Sequence, residues 1–183
     1  MTPSRLPLVA QDRIARAVTA AARALGIATG PVHAELRLGG ASDEPPVLIE
    51  IAARPIGGLC ARSLRFSDGG SLEDVVVRHA LGARQPTTRE AAASGAMMLP
   101  IPARVPSVLL GVSGVDDARQ VDGVDDVVIS ARVGETLVPL PEGSSYFGFV
   151  FTRGATPVDV EHALRDAAAH LRCDVAPLIA VAR

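Results

Sequence analysis

Val47-Leu-Ile-Glu-Ile-Ala-Ala-Arg-Pro-Ile-Gly-Gly58 is an apolar run that carries one carboxylate and one guanidinium and ends in a glycine pair. Its length and its β-branched residues predict a buried strand. Alternation then sets Glu50, Ala52 and Arg54 on one face and Ile49, Ile51 and Ala53 on the other. Two charged groups on one face of an apolar strand are costly unless that face opens on a cleft, a metal or a ligand. Upstream, Val32-His-Ala-Glu-Leu-Arg-Leu38 reads as a second strand, and the turn-forming residues from Gly39 to Pro46 make the two an antiparallel hairpin. Glu35 and Glu50 are expected to converge on one side of it.

Neighbouring carboxylates repel, and a raised pKa, a basic neighbour or a bound cation relieves the repulsion. One or two carboxylates with phosphates completing the shell is how Mg2+ is held beside a nucleotide. His33 and Arg37 share the face of Glu35. For His33 both a ligand contact and a structural donor remain open, and for Arg37 both a phosphate contact and protection of a strand edge. Gly57-Gly58 fits either a phosphate cradle or a tight turn leaving the strand.

The segments Leu-Gly-Ile-Ala-Thr-Gly-Pro-Val-His-Ala-Glu-Leu, from Leu25, and Leu-Ile-Glu-Ile-Ala-Ala-Arg-Pro-Ile-Gly-Gly, from Leu48, followed by a helix closing on Ala80-Leu-Gly82, resemble the end of an ATP-grasp domain. They are most similar to the carboxylate–amine ligases, including the L-amino-acid ligases. The resemblance implies Mg2+ and ATP as cofactors. It assigns Glu35, which ends the Gly-Pro-x-His-x-Glu segment, and Glu50, which opens the Glu-x-Asn-x-Arg segment, as metal ligands. Arg54 then faces the substrate carboxylate or its acyl-phosphate, with His33, Gly57 and Gly58 beside the substrate. Ala52 departs from the pattern, since asparagine often stands there as a further ligand. A structural ion pair with Glu50 is the competing role for Arg54, four residues away on one strand.

A whole ligase of this kind resembles a three-part protein, in which lysines of a small lobe grip the phosphates under a glycine-rich flap. All 18 basic residues of this chain are arginine, and no Gly-x-x-x-x-Gly-Lys-Ser/Thr loop is present. The chain is therefore expected to carry part of the nucleotide site and to work with an amino-terminal ATP-grasp lobe in trans, or to self-associate as a homo-oligomer, rather than to act alone on a small carboxylate and an amine. A catalytically silent interaction or small-molecule-binding module is the alternative.

At 183 residues with 48% hydrophobic and 21% charged, the chain has room for one or two small domains. A net charge of -2 with dispersed arginines and 3% aromatics excludes a basic or base-stacking nucleic-acid surface. Neither a signal-peptide pattern nor a membrane-length apolar run occurs, and the two cysteines, Cys60 and Cys173, lie far apart, so a cytoplasmic location is expected.

Residues 1–86 are read as the carboxy-terminal part of an ATP-grasp lobe and residues 87–183 as a ligase carboxy-terminal subdomain, the whole being α+β. In the first, Met1 to Ala10 is expected to be an extended lead-in, with helices over Asp12–Leu25 and Ser71–Leu81. Val75, Val76 and Leu81 are expected to pack on the hairpin. In the second, β-rich runs at Ala96–Pro102, Val108–Ser113, Val127–Val133, Thr136–Pro139 and Tyr146–Thr152 are expected. Gly134-Glu135 reads as the tight hairpin between two of them. Val115–Val121 is a short helix, Pro157–Leu171 a firm one capped by Thr156, and Ala176–Ala182 a last strand or tail.

Overall fold

The computed structural model describes residues 1–40, 44–83, 88–143 and 146–178. They form two compact units, Ser4–Glu90 and a second made of Ala91–Arg183 together with Met1–Pro3. Both combine helices with antiparallel sheet, so the chain is α+β.

In the first unit, helix α1 runs over Leu8–Ala24, one turn earlier than the sequence suggests. The prolines of the lead-in do not prevent this, because Pro7 sits at the N-cap, ahead of the first helical N–H groups. The side chain of Gln11 also reaches back to donate to the carbonyl of Leu6 at 2.7 Å, fixing the entry. Strands β1 (His33–Arg37) and β2 (Val47–Ala52) form the expected antiparallel hairpin. A 3-10 turn at Cys60–Ser63 and helix α2 (Leu72–Ala80) complete the unit. Ser71 caps α2 through a capping box. Its hydroxyl accepts from the Asp74 N–H, and the Asp74 carboxylate accepts from the Ser71 N–H at 2.8 Å.

Two expectations fail here. The strand β2 is not buried: Val47 and Ile49 each remain 61% exposed, and the register accounts for it, because Ile49 is left unpaired between Glu50 and Leu48 and Val47 stands opposite Arg37, on the face of the carboxylates. Nor does Leu81 pack on the hairpin, since it is 81% exposed just past the helix end, while Val75 and Val76 are only half-buried. The register shift breaks strict alternation, so that Ile51, half-buried, keeps to the apolar face while Val47 does not.

The second unit has a closed core. Strands β3 (Ala93–Leu99), β7 (Gly148–Gly154) and β5 (Val124–Ile129) form one antiparallel sheet in the order β3-β7-β5. Strands β6 (Thr136–Leu137), β4 (Ser107–Ser113) and β8 (Arg172–Pro177) form another in the order β6-β4-β8. Helix α4 (Pro157–His170) packs on β3 and β7, and the short helix α3 (Val115–Gln120) packs on α4 and β5. Leu109, Val127, Leu137, Phe147, Val150, Val160 and Leu164 meet in the interior. Gly95 on β3 permits the close approach of α4, because a Cβ there would come within 2.7 Å of Val160. Gly114, at φ 78° before α3, has the left-handed backbone that suits glycine, and a Cβ there would overlap the carbonyl of His170.

The predicted Gly134-Glu135 hairpin does not join paired strands. Strand β5 ends at Ile129 and pairs with β7, whereas β6 pairs with β4. Gly134 does make a turn, at φ 87°, but its N–H donates to Leu109 and its neighbour Glu135 accepts from the Leu109 N–H, so the chain crosses to the other sheet. The last strand also begins at Arg172, earlier than expected, and residues 179–182 of the predicted tail lie outside the described residues, as do residues 84–87, around the division expected after residue 86.

Candidate functional site

The hairpin sets the register that matters. Glu35 stands directly across from Glu50, and His33 directly across from Ala52, so all four share one face of the β1–β2 ladder. A register shift between Glu35 and Leu36 interrupts the pairing immediately beyond the two carboxylates, and it resumes with Leu36 opposite Leu48 and Arg37 opposite Val47. Glu35 and Glu50 keep 56% and 53% of their side-chain surface exposed. Like charges set opposite one another destabilise a sheet by a few tenths of a kcal/mol, roughly the scale of other cross-strand pairs.

Each carboxylate has one basic neighbour. The Nε2 atom of His33 lies 3.4 Å from Oε1 of Glu35, and Nη2 of Arg54 lies 3.7 Å from Oε1 of Glu50. Arg54 also donates through Nη1 to the carbonyl of Pro55 at 3.1 Å. The ion pair that competes with a substrate role for Arg54 is thus present, but it is long and half-exposed, the kind of contact that contributes little and yields readily to a better partner. Gly57 lies beside Arg54, where a Cβ would stand in ordinary contact, 3.7 Å from Nη1. Gly58 adopts φ 62°, which a turn leaving the strand accounts for by itself.

Among the described residues no group of three or more His, Cys, Asp and Glu side chains is arranged to hold a metal. Two oxygen donors therefore fit the mode of Mg2+ binding in which one or two carboxylates share the ion with substrate phosphates, and do not fit an all-protein cage. The donor chemistry of Glu35 and Glu50 suits that mode, because neither carboxylate is committed to a buried structural contact. No helix among the described residues is long and apolar enough to cross a membrane.

One feature of this unit had no signal in the sequence. Asp68 and Arg78, ten residues apart, form an ion pair of 2.6 Å beside a cavity of about 420 Å3 against α2. Only the polar character of the 67–70 loop was legible. The Arg78 guanidinium, with help from the Gly70 N–H, holds the Asp68 carboxyl below its ordinary range, and Asp68 in turn raises Arg78.

Residues 1–63 match the family model of the ATP-grasp domain. In solved structures the same class recurs. N5-carboxyaminoimidazole ribonucleotide synthetase from Thermotoga maritima aligns over 97% of this chain and 45% of its own, at TM-score 0.70 and 14% identity. Phosphoribosylglycinamide synthetase from Anaerococcus prevotii aligns over 94% of this chain and 44% of its own, at TM-score 0.71 and 13% identity, and these two likenesses speak to the fold. The chain thus has the architecture of the carboxy-terminal part of an ATP-grasp ligase.

In the second unit, residues 100–176 match the family model of L-amino acid ligase C-terminal domain 2. L-amino acid ligase from Bacillus licheniformis aligns over 94% of this chain at 27% identity and TM-score 0.75. This chain spans 42% of that protein's length, so it corresponds to less than half of it. Among curated proteins none matches the sequence.

Proposed function

We propose that this chain supplies the metal-holding and carboxylate-facing wall of an ATP-dependent carboxylate–amine ligase. The observation that carries the reading is the register Glu35 opposite Glu50 with Arg54 beside Glu50. A like-charge pair beside a bulge in the ladder weakens the hairpin, and the arrangement makes physical sense when a cation shares the two carboxylates.

In this reading Glu35 and Glu50 hold Mg2+, which when bound neutralises the phosphate charge that builds up during phosphoryl transfer from ATP. Arg54 releases its long contact with Glu50 and pairs with the substrate carboxylate, orienting it and then screening the acyl-phosphate that precedes attack by the amine. His33, across from Ala52, borders the space that an asparagine fills in related sites, and Gly57 adjoins Arg54. The phosphate-gripping groups come from segments equivalent to those of the relatives that this chain does not span, joined to it or supplied in trans. Cytoplasm, where Mg·ATP is available, is the compartment such a site requires.

The test uses Mn2+ as a paramagnetic substitute for Mg2+, which reads the carboxylate pair without needing the rest of the nucleotide site. Amide resonances of Ala34–Leu36 and Ile49–Ala52 should broaden selectively in the wild type and should not in Glu50→Gln. Calorimetric titration with Mg·ATP should show the same dependence. Broadening that is uniform over the surface, or that survives Glu50→Gln, would remove the basis for the assignment.

The exposed Val47 and Ile49 favour a second reading, a silent module that covers these side chains by self-association. A nucleotide-independent dimer that Ile49→Glu converts to a monomer would support it. A monomer at every concentration accessible to sedimentation would eliminate it.

A further inference from the structure

Past the two carboxylates the ladder resumes with Arg37 opposite Val47, and Arg37 is exposed while Leu36 and Leu38 on either side of it are half-buried. Arg37 therefore shares the face of Glu35, two residues and about 6.6 Å along the strand. Arg54 approaches the carboxylates from the Ala52 end of the hairpin, and Arg37 stands at the other end. The basic neighbours of Glu35 and Glu50, His33 and Arg54, both come from the Ala52 end. Arg37 makes no ion pair and no side-chain hydrogen bond with any described residue, although two carboxylates lie on its own face. Val47, across the ladder, offers its stem an apolar surface and its guanidinium no acceptor.

Protection of a strand edge accounts for a charge at this position, but not for a cation that leaves the neighbouring carboxylates to other partners. We infer that Arg37 binds the phosphate oxygens that stay with the nucleotide, and so takes up charge that develops on the leaving group. Phosphoryl transfer sets the attacking and leaving oxygens roughly in line. With the substrate carboxylate at Arg54 and the metal ligands in between, the leaving phosphates fall on the side of Arg37. Its planar guanidinium suits such oxygens, to which it can donate in pairs. The inference rests on the metal-holding role proposed for Glu35 and Glu50, and adds to it a phosphate contact from a chain that has no lysine.

Titration of Mn2+ alone and of Mn·ADP into the full chain, read through broadening of the Ala34–Leu36 and Ile49–Ala52 amides, separates the two roles. Removal of a cation beside the carboxylates should leave Mn2+ binding by Arg37→Gln unchanged or slightly tighter. The same substitution should weaken Mn·ADP about tenfold, as the loss of one charge-assisted hydrogen bond does, and Arg37→Lys should recover most of that loss. In the wild type the Nε–H resonance of Arg37 should shift with Mg·ADP and far less with Mg2+ alone, which reads the contact without a variant. An Arg37→Gln chain that binds Mn·ADP as the wild type does, or an Arg37 resonance that does not move, would overturn the role of Arg37 and leave the metal-holding role standing. A wild type in which Mn2+ does not single out those amides would overturn both.

Discussion

Leu109, Val127, Val150 and Val160 in the Ala91–Arg183 unit are fully enclosed, whereas Val47, Ile49 and Leu81 in the Ser4–Glu90 unit keep between 61% and 81% of their surface exposed. The residue types are equivalent; their surroundings differ. In the second unit two sheets and two helices converge on one interior, and each apolar residue gains its transfer free energy from neighbours within the unit. In the first, a two-stranded hairpin and two helices make too few layers to enclose both faces of β2, and a hairpin alone is marginal. Cys60 and Ala61 are the buried apolar residues among the described part of that unit. The unit that carries the candidate chemistry is thus the one whose surface asks for a further layer. The unit that closes on itself carries no comparable pair of carboxylates facing one another across a ladder among its described residues.

Stability measurements can break that contrast. Leu109→Ala should cost about 2–5 kcal/mol in chemical denaturation, the range for deleting a large aliphatic side chain from a closed core. Ile49→Ala should cost less than about 0.5 kcal/mol, as exposed positions do. Comparable losses at the two sites would mean that Ile49 is covered in solution, and would turn attention to what covers it.

The two capping boxes sharpen the comparison on a smaller scale. Thr156 caps α4 and Ser71 caps α2 by the same reciprocal contacts. Replacement of either by alanine should cost about 1 kcal/mol of the helix it begins. Hydrogen exchange should report Thr156→Ala across the Ala91–Arg183 core and Ser71→Ala locally, in α2. The Ser71 N–H holds the Asp74 carboxyl below its ordinary range. Its contribution is therefore present above the ordinary aspartate value and is lost as the pH falls through the lowered one. Exchange in α2 should accelerate at acid pH over that window, and an α2 indifferent to acid would contradict the cap.

The smallest effect has the opposite sign. Glu35→Gln relieves the repulsion across the hairpin and should raise metal-free thermal stability by a few tenths of a kcal/mol while abolishing stabilisation by Mn2+. A variant that loses stability would mean that the His33 contact at 3.4 Å outweighs the repulsion from Glu50.

Much of this molecule was legible in local signals. The Ser71 and Thr156 caps, the Pro157 start of α4, the β1–β2 hairpin and the convergence of Glu35 with Glu50 follow from spacing, because capping and alternation act over a few residues. The resemblance of the Glu35 and Glu50 segments to ATP-grasp ligases rested on the same residues, and the family match over residues 1–63 and the solved ligase structures agree with it.

Three things required the tertiary structure. The partner of β6 is β4 and not β5, because the turn at Gly134 bonds to Leu109, a residue far away in sequence. The pairing of Asp68 with Arg78 arises from a loop folding back on a helix, and no periodicity encodes it. The exposure of Val47 and Ile49 was decided last. Alternation along one strand would set both residues on one apolar face, but the register shift leaves Ile49 unpaired and sets Val47 opposite Arg37, and cover depends on how many layers the surrounding chain provides; both are properties of the paired structure and not of the strand alone.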